Sequence, residues 1–223
     1  MARSKGAASP AGLVLYDKPA GPSSFAIVRQ LREETGARAG HAGTLDPFAT
    51  GLLLVLLGSF TKEAQRFVGL EKRYETAVDL SRTSSTGDPE GELGEEHEPP
   101  SLLELEARLD ALRGDVDLKI PAASAVKIGG ERAYRLHRRG VAVEMPTRPM
   151  RVHELRLLAY EDDVARLDLL VGSGTYVRSM ADALGGHCVT LRRTEIGPFH
   201  VDEADEARIV PLEHALARLA EAP

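Results

Sequence analysis

The segment at residues 50–58 (TGLLLVLLG) constrains the fold of this chain more than any other stretch. Its apolar run is short and is bounded by two glycines, a pattern that predicts a strand buried in the core. The run is far too short to cross a membrane, because a bilayer requires about 20 consecutive apolar residues. A loop rich in Gly, Thr and Pro (GHAGTLDPFATG, residues 40–51) leads into this strand and contains one acidic residue, Asp46.

The segments on either side predict further strands and helices. Strands are predicted at residues 13–16 and 72–80, and a hairpin at residues 150–172 turns at residues 161–163. Helices are predicted after a cap at Ser23 or Ser24, after a cap at Ser59, over residues 101–114, after a cap at Ser173 or Thr175, and over residues 211–220. Residues 123–140 predict a strand, a Gly-Gly turn and a short basic helix. This mixture predicts an α+β fold with a mixed, mostly antiparallel central sheet flanked by helices and loops.

The net charge of −6 is unevenly distributed along the chain. Residues 88–117 contain eleven acidic residues and two arginines, and residues 202–223 contain six acidic residues and two arginines. The rest of the chain therefore has a net charge of +7. Because clustered Lys and Arg side chains determine the affinity for a polyanion, the acidic average does not exclude a nucleic-acid partner.

Three further features limit the class of protein. The single cysteine, Cys188, excludes an internal disulfide and zinc sites with several cysteines. The N-terminus lacks the apolar segment of a secretory signal, so a cytoplasmic location is expected. The seven histidines show no ligand spacing and the common cofactor motifs are absent, so we expect no metal and no cofactor. Any chemistry must then come from side chains alone.

Two segments are predicted to lie outside the core. Residues 1–10 predict a disordered tail. Residues 83–100 form an acidic stretch rich in Gly and Pro, which predicts a mobile surface loop that buries almost nothing.

Asp46 has two interpretations at this point. An Asp followed by Pro most often caps or tightens a turn. The alternative is a carboxylate that a rigid loop presents for chemistry.

Five segments, in order along the chain, resemble the TruB family of tRNA pseudouridine synthases, bacterial type. They are GLVLYDKPAGPSS (12–24), GHAGTLDPFATGLL (40–53), KRY (72–74), GTYVRSMADALG (174–185) and LRRTEIGPF (191–199). Single short motifs often match by chance, whereas five in the family's order leave little room for coincidence. The resemblance implies the pseudouridine synthase fold and the isomerisation of uridine to pseudouridine at position 55, in the T loop of tRNA. Asp46 resembles the aspartate that initiates cleavage of the glycosidic bond.

The resemblance also implies roles for other side chains. Arg178 is placed against Asp46, where its charge would keep the carboxylate ionised. Tyr74 is suited to stack on a uracil that has been flipped out of the RNA, and His41 to fill the space that the flipped bases leave. Further residues expected to bind the substrate are Tyr176, Leu191 and Lys18, of which Lys18 either supports the Asp46 loop or contacts phosphate. Residues expected on the RNA backbone are Lys72, Arg73, Lys127, Arg132, Arg135 and Arg139, with Lys62, Arg138, Arg192 and Arg193 on the same side.

The chemical route from Asp46 stays open at this level. The carboxylate can attack C1′ of the sugar, add to C6 of uracil, or remove a sugar proton to give a glycal. Three rival functions are an RNA-binding or tRNA-folding module in which catalysis is dispensable, a guide-RNA-dependent synthase, and an unrelated carboxylate hydrolase. The hydrolase would need a second acid near Asp46, and none is evident.

The motifs also define the expected domain organisation. Residues 11–201 are predicted to form the catalytic domain and residues 202–223 a helical extension. Bacterial members of the family usually continue into an RNA-binding PUA domain, which is expected to be absent or vestigial here. The segment KIPAASAVK departs from the family's pattern at Ala122 and Ala123, so the packing of this segment is left open. The expected partner is the T arm of tRNA, and we expect a monomer with no membrane contact and no obligatory protein partner.

Overall fold

The computed structural model describes the chain from residue 10 to residue 221, and it contains both strands and helices. The strands are β1 (Gly12–Lys18), β2 (Ala39–His41), β3 (Thr50–Leu57), β4 (Lys72–Asp79), β5 (Gly114–Lys119), β6 (Lys127–Ile128), β7 (Glu131–Arg132), β8 (Thr147–Glu161), β9 (Val164–Val171), β10 (His187–Ile196) and β11 (Phe199–His200). The helices are α1 (Ser24–Thr35), α2 (Ala64–Val68), α3 (Leu102–Ala111), α4 (Ala133–Arg138), α5 (Val177–Leu184) and α6 (Leu212–Glu221). The chain divides into two units. The first unit consists of Met1–Arg73 and Arg192–Pro223, and the second of Tyr74–Leu191, so the boundaries fall inside β4 and β10.

The predicted buried strand is β3, and it organises the first unit. It pairs along its length with antiparallel β1, also with antiparallel β2, and at its start with parallel β10. Successive side chains of a strand point to opposite faces. Accordingly Leu52, Leu54 and Leu56 pack with Phe60, Phe67 and Phe199, whereas Leu53, Val55 and Leu57 pack with Ile27, Val28 and Leu31 of α1. Both faces of β3 are therefore covered, which explains why every residue from Leu52 to Leu57 is apolar.

Helix α1 begins after one of its two predicted caps. The Oγ of Ser23 accepts a hydrogen bond from the Ala26 N–H at 3.2 Å, so Ser23 is the N-cap. Gly36 ends the helix in the left-handed conformation at φ 65°, which a residue without a Cβ adopts at little cost.

The second unit is built on an antiparallel hairpin. Strands β8 and β9 pair through a tight turn at Asp162 and Asp163, whose φ angles are 50° and 64°, and β5 pairs with the outer edge of β8. The strand order in this unit is β10, β4, β9, β8, β5. Helix α3 has the capping box of Ser101 and Glu104, and α5 follows the loop after β9. The parallel pairing of β3 with β10, beside the antiparallel pairs of β1 with β3, β5 with β8 and β8 with β9, confirms the predicted α+β class with a mixed, mostly antiparallel sheet.

Two predicted helix starts are wrong. Ser59 does not cap a helix, because Gly58–Glu63 forms a 3₁₀ turn and α2 is confined to Ala64–Val68. Neither Ser173 nor Thr175 caps α5, which begins at Val177 after Tyr176 and has no side-chain cap. The predicted tail at residues 1–10 lies outside the described residues except for Pro10. Between residues 10 and 221, no helix is long and apolar enough to cross a membrane.

Candidate active site

The loop at residues 42–49, called the Asp46 loop below, joins β2 to β3 in the first unit. Its ends are fixed by main-chain hydrogen bonds, with the Ala42 N–H donating to the Leu54 carbonyl at 3.0 Å. Within the loop the Ala49 N–H donates to the Asp46 carbonyl at 3.2 Å, and the Gly21 N–H donates to the Pro47 carbonyl at 2.8 Å. Asp46 itself is half-buried. The loop is thus an ordered turn, and Asp46 lies at its centre.

Two buried side chains from the first motif hold the Asp46 loop. The ammonium of Lys18 donates to the carbonyls of Pro19, Pro22 and Pro47 at 2.8, 2.9 and 3.2 Å. The hydroxyl of Ser24 accepts from the Leu45 N–H at 2.8 Å and lies 2.9 Å from the Leu45 carbonyl, to which it donates. Lys18 is fully buried, so of its two predicted roles the support of the loop is correct and the contact with substrate phosphate is wrong.

His41 lies at the end of β2, directly before this loop. Burial, and secondarily the positive charge of Arg193, lowers the pKa of His41 below its usual value. Its Nδ1 is buried without a hydrogen-bond partner among the described residues. A neutral imidazole is therefore expected at pH 7. Its predicted insertion into RNA stays a prediction.

Lys72 is buried, which corrects its predicted contact with the RNA backbone. Its side chain is 6% exposed, and its ammonium donates to the carbonyls of Val68, at 2.7 Å, and of Leu70. Burial, followed by the charge of Arg193, lowers the pKa of Lys72 to about 8. Sequence patterns do not separate a buried lysine from an exposed one at the start of an alternating strand.

The low pKa of Lys72 predicts a pH-dependent stability. Below pH 8 the buried ammonium of Lys72 destabilises the folded state. Above pH 8 Lys72 loses its proton in the folded state, whereas in the unfolded chain it stays protonated up to about pH 10.4. The free energy of unfolding of the wild type, relative to Lys72→Met, is therefore expected to rise by about 2 kcal/mol between pH 8 and pH 10. Urea unfolding of both proteins across this range measures it. Parallel pH profiles would contradict the assignment.

Tyr74, Leu191 and Tyr176 lie in the second unit. Tyr74 is a buried residue of β4, Leu191 a buried residue of β10, and Tyr176 the half-buried residue that precedes α5. The Tyr176 N–H faces the Sδ of Met150 at 3.5 Å, and its side chain packs beside the cluster of Ile120, Ala133 and Met145. This half-buried position is compatible with the expected contact of Tyr176 with the substrate, which stays a prediction.

Arg178 is a buried guanidinium in the first turn of α5, 3% exposed. It donates from Nη1 to the Thr86 carbonyl at 2.8 Å and from Nη2 to the Ala123 carbonyl at 3.0 Å. Its Nη1 also forms an ion pair with the Oδ2 of Asp88 at 3.3 Å. Arg178 further lines a cavity of about 190 Å³ with Ser84, Thr86 and Ser179. Its predicted pairing with Asp46, which belongs to the other unit, stays a prediction.

Asp88 is a residue of this site that the sequence interpretation missed. Its carboxylate is 4% exposed and accepts hydrogen bonds from the Thr86 hydroxyl at 2.6 Å and the Glu90 N–H at 3.0 Å. Gly87, at φ 72°, lies so close to Arg178 that a Cβ would be 3.2 Å from its Cβ and carbonyl oxygen. The expectation that the acidic stretch buries almost nothing is therefore wrong for Ser84 and residues 86–88, although residues 92–98 are exposed.

The buried ion pair predicts different effects for two acidic residues of this stretch. Asp88→Ala leaves Arg178 without its carboxylate and is expected to lower the free energy of unfolding by about 3 kcal/mol. Glu95→Ala removes an exposed carboxylate and should change it by less than about 0.5 kcal/mol. Denaturant unfolding of the two variants measures the difference. Equal stabilities would show that the ion pair contributes nothing to the fold.

Four of the residues predicted on the RNA backbone lie in one segment of the second unit. Lys127, Arg132 and Arg135 are exposed on β6, β7 and α4, and Arg139 is exposed directly after α4. The guanidinium groups of Arg135 and Arg138 lie 5.9 and 5.8 Å from the ring centre of Tyr134, and Arg139 pairs with Glu131 at 2.8 Å. In the first unit Arg73 is half-buried. Within residues 10–221 no group of three His, Cys, Asp or Glu side chains is arranged to hold a metal ion.

Comparisons with known proteins identify the family to which this chain belongs. A family model described as TruB family pseudouridylate synthase (N terminal domain) matches residues 29–177. The tRNA pseudouridine synthase B of Dinoroseobacter shibae is 41% identical, over 100% of this chain and 81% of that protein. The tRNA pseudouridine synthase B of a Mycobacterium species (strain KMS) is 39% identical, over 89% of this chain and 71% of that protein.

Solved structures show the same architecture. A chain in the crystal structure of a Cbf5-Nop10-Gar1 complex matches 86% of this chain with a TM-score of 0.66 and 27% identity. This chain spans half the length of that protein.

Proposed function

Because the chain belongs to the TruB family of pseudouridylate synthases, we propose that it isomerises the uridine at position 55, in the T loop of tRNA, to pseudouridine. The fold is the α+β pseudouridine synthase fold, and the protein is an isomerase. The tRNA substrate is supported by relatives about 40% identical over most of the chain, which are named tRNA pseudouridine synthase B.

The observation that carries the proposal is the ordered Asp46 loop. Pseudouridine formation breaks the C1′–N1 bond, turns the uracil and joins C1′ to C5, while a proton leaves C5 and N1 gains one. The reaction needs no oxidant and no external energy, so one positioned carboxylate is sufficient to start it. The contacts of Lys18 and Ser24 with Pro47 and Leu45 hold the residues on both sides of Asp46. Such a loop presents its carboxylate in a fixed place, which catalysis by orientation requires.

We assign Arg178 the task of keeping Asp46 ionised. Burial in an apolar pocket raises the pKa of a carboxyl group and favours its neutral form, unless a cation or several donors stabilise the charge. A guanidinium presents a planar fork of donors that matches a carboxylate. The carbonyls of Thr86 and Ala123 and the carboxylate of Asp88 fix the orientation of that fork.

The remaining roles concern the flipped base. Tyr74 stacks on the uracil, and its hydroxyl assists the removal of the C5 proton. Leu191 and Tyr176 line the space around the base, and His41 enters the RNA where the bases have left. Unstacking a base costs only a few kcal/mol, which such local contacts offset.

We assign the contact with the RNA backbone to the segment from β6 to α4. Its like-charged arginines repel each other unless a polyanion relieves the repulsion. Replacing Arg132 and Arg135 together by Gln is expected to weaken tRNA binding and to reduce the slope of log affinity against log salt by about one for each phosphate that is no longer bound. Arg156→Gln is the control, because Arg156 is exposed and pairs with Glu154 at 2.8 Å. Equal slopes in both variants, measured by filter binding at several salt concentrations, would contradict this placement.

The T-arm specificity is tested with an isolated stem-loop. The target base and its flanking phosphates lie within one stem-loop, so kcat/KM for the T-arm RNA should lie within about a hundredfold of that for full tRNA, or about 2.7 kcal/mol. The modified position is mapped in both RNAs, and a stem-loop with cytidine in place of the target uridine serves as the control. Modification at another position, or a stem-loop that is not a substrate, would contradict the proposal.

A further inference from the structure

Arg193 has a position that the charge pattern does not predict. The sequence favours the RNA side, yet its side chain is 1% exposed and belongs to the core of the first unit. From Nε it donates to the Leu52 carbonyl at 2.7 Å, and from Nη2 and Nη1 to the carbonyls of Gly43 and Thr44 at 3.2 and 3.4 Å. One planar group therefore contacts the chain before Asp46 and the chain after it.

The backbone of Arg193 is fixed as firmly as its side chain. Arg193 is aligned with Gly51 in the parallel pairing of β10 with β3. Gly51 has a φ of 101°, and a Cβ at this position would lie 2.2 Å from the Arg193 carbonyl oxygen. Only a glycine permits this approach, so the guanidinium starts from a defined point relative to the end of the Asp46 loop.

The burial of this cation is costly. Its charge adds to the depression of the pKa values of both Lys72 and His41, so three basic groups share one region of the first unit. An apolar side chain would fill the same core volume without that cost. An apolar residue, however, has no donors. The guanidinium of Arg193 provides a rigid set of donors to three carbonyl oxygens, which lie on the two sides of the Asp46 loop.

We propose that Arg193 is a positioning residue, which sets the conformation of the Asp46 loop and thereby the place of the Asp46 carboxylate. The effect of Arg193 on the reaction rests on the proposed function, whereas its effect on the Asp46 loop does not. In this role Arg193 touches no substrate.

The test is Arg193→Lys, with Arg218→Lys as the matched control. A lysine has no planar fork and cannot reach Leu52 and Gly43 together. Arg218 is also in the first unit, where it pairs with Glu203 at 2.7 Å and lies 4.4 Å over the Phe199 ring. Since a misplacement of about 1 Å can cost about a hundredfold in rate, kcat of Arg193→Lys is expected to fall at least tenfold while the Kd for tRNA stays within about twofold. Hydrogen exchange should rise in the amides of residues 42–52, and the control should change neither kcat nor that exchange.

The outcomes separate this proposal from the proposed function. Normal kcat in Arg193→Lys, or an exchange increase that extends through the whole first unit as in a general loss of stability, would overturn the positioning role. A wild type that forms no pseudouridine in tRNA would overturn the proposed function, and the exchange of residues 42–52 would still decide whether Arg193 orders the loop. If Arg193→Lys does not fold, Arg193→Gln, which removes the buried charge and keeps a planar donor, is measured in the same way against the same criteria.

Discussion

Replacing Asp46 by Asn is expected to abolish pseudouridine formation, to below about one percent of the wild-type rate, a loss of more than about 2.7 kcal/mol of transition-state stabilisation. Asn has the same size and can keep hydrogen bonds in the Asp46 loop, but it is neither a nucleophile nor a base. Binding of tRNA should stay within a few-fold of the wild type, because the carboxylate reacts with the substrate but contributes little binding energy. Single-turnover kinetics and filter binding measure the two effects separately.

Asp205→Asn is the matched control for this experiment. Asp205 is an exposed turn residue of the same unit, and its carboxylate accepts a hydrogen bond from the Ala207 N–H at 3.0 Å. It therefore represents the alternative interpretation of Asp46, an Asp that tightens a turn, and its replacement should leave the rate unchanged. An Asp46→Asn protein that retains more than about one percent of the wild-type rate would show that Asp46 only tightens the turn and does not initiate the reaction.

Arg178→Lys is the second change with a large expected effect. The charge is retained, but a point charge cannot reproduce the planar donor fork towards a carboxylate. Preorganised electrostatic groups of this kind are worth about a hundredfold to a thousandfold in rate, and we expect a loss in kcat of that size. The Kd for tRNA should be unchanged.

The matched control is Arg108→Lys, in the same unit. Arg108 donates from Nη1 to the Leu184 carbonyl, at the other end of α5, at 2.7 Å. Like Arg178, Arg108 donates a hydrogen bond to a main-chain carbonyl. The rate of Arg108→Lys therefore measures how much is lost when such a contact alone is changed. A rate for Arg178→Lys equal to that of Arg108→Lys would show that Arg178 has only a structural role.

The elements that were predictable are those with local signals. Residues 50–57 form a strand because an apolar residue occupies nearly every position and both faces are covered, and α1 has a Ser cap and a terminal Gly. The order of the five motifs indicated the family, which the match over residues 29–177 confirms. The start of α5 was not predictable in this way, because Tyr176 precedes it and no side chain caps it.

The sequence does not reveal which charged side chains are buried. Lys72, Arg193 and Asp88 look like solvated charges in the sequence, since nothing local distinguishes a charge that meets carbonyls or a distant arginine from one that meets water. Asp88 pairs with Arg178, which lies ninety residues further along the chain, and Arg193 binds carbonyls about 150 residues earlier. Such partners are brought together only by the fold, so composition and periodicity cannot reveal them.

The most direct test of the central claim is the release of tritium from tRNA labelled at C5 of uridine. The wild-type protein is expected to release up to one equivalent of tritium per tRNA without any added cofactor, because the C5 proton is lost once for each uridine isomerised. The release should disappear when the T-loop target uridine is replaced by cytidine. Absence of release from tRNA, or undiminished release from the tRNA that lacks the target uridine, would contradict the proposed activity at that position.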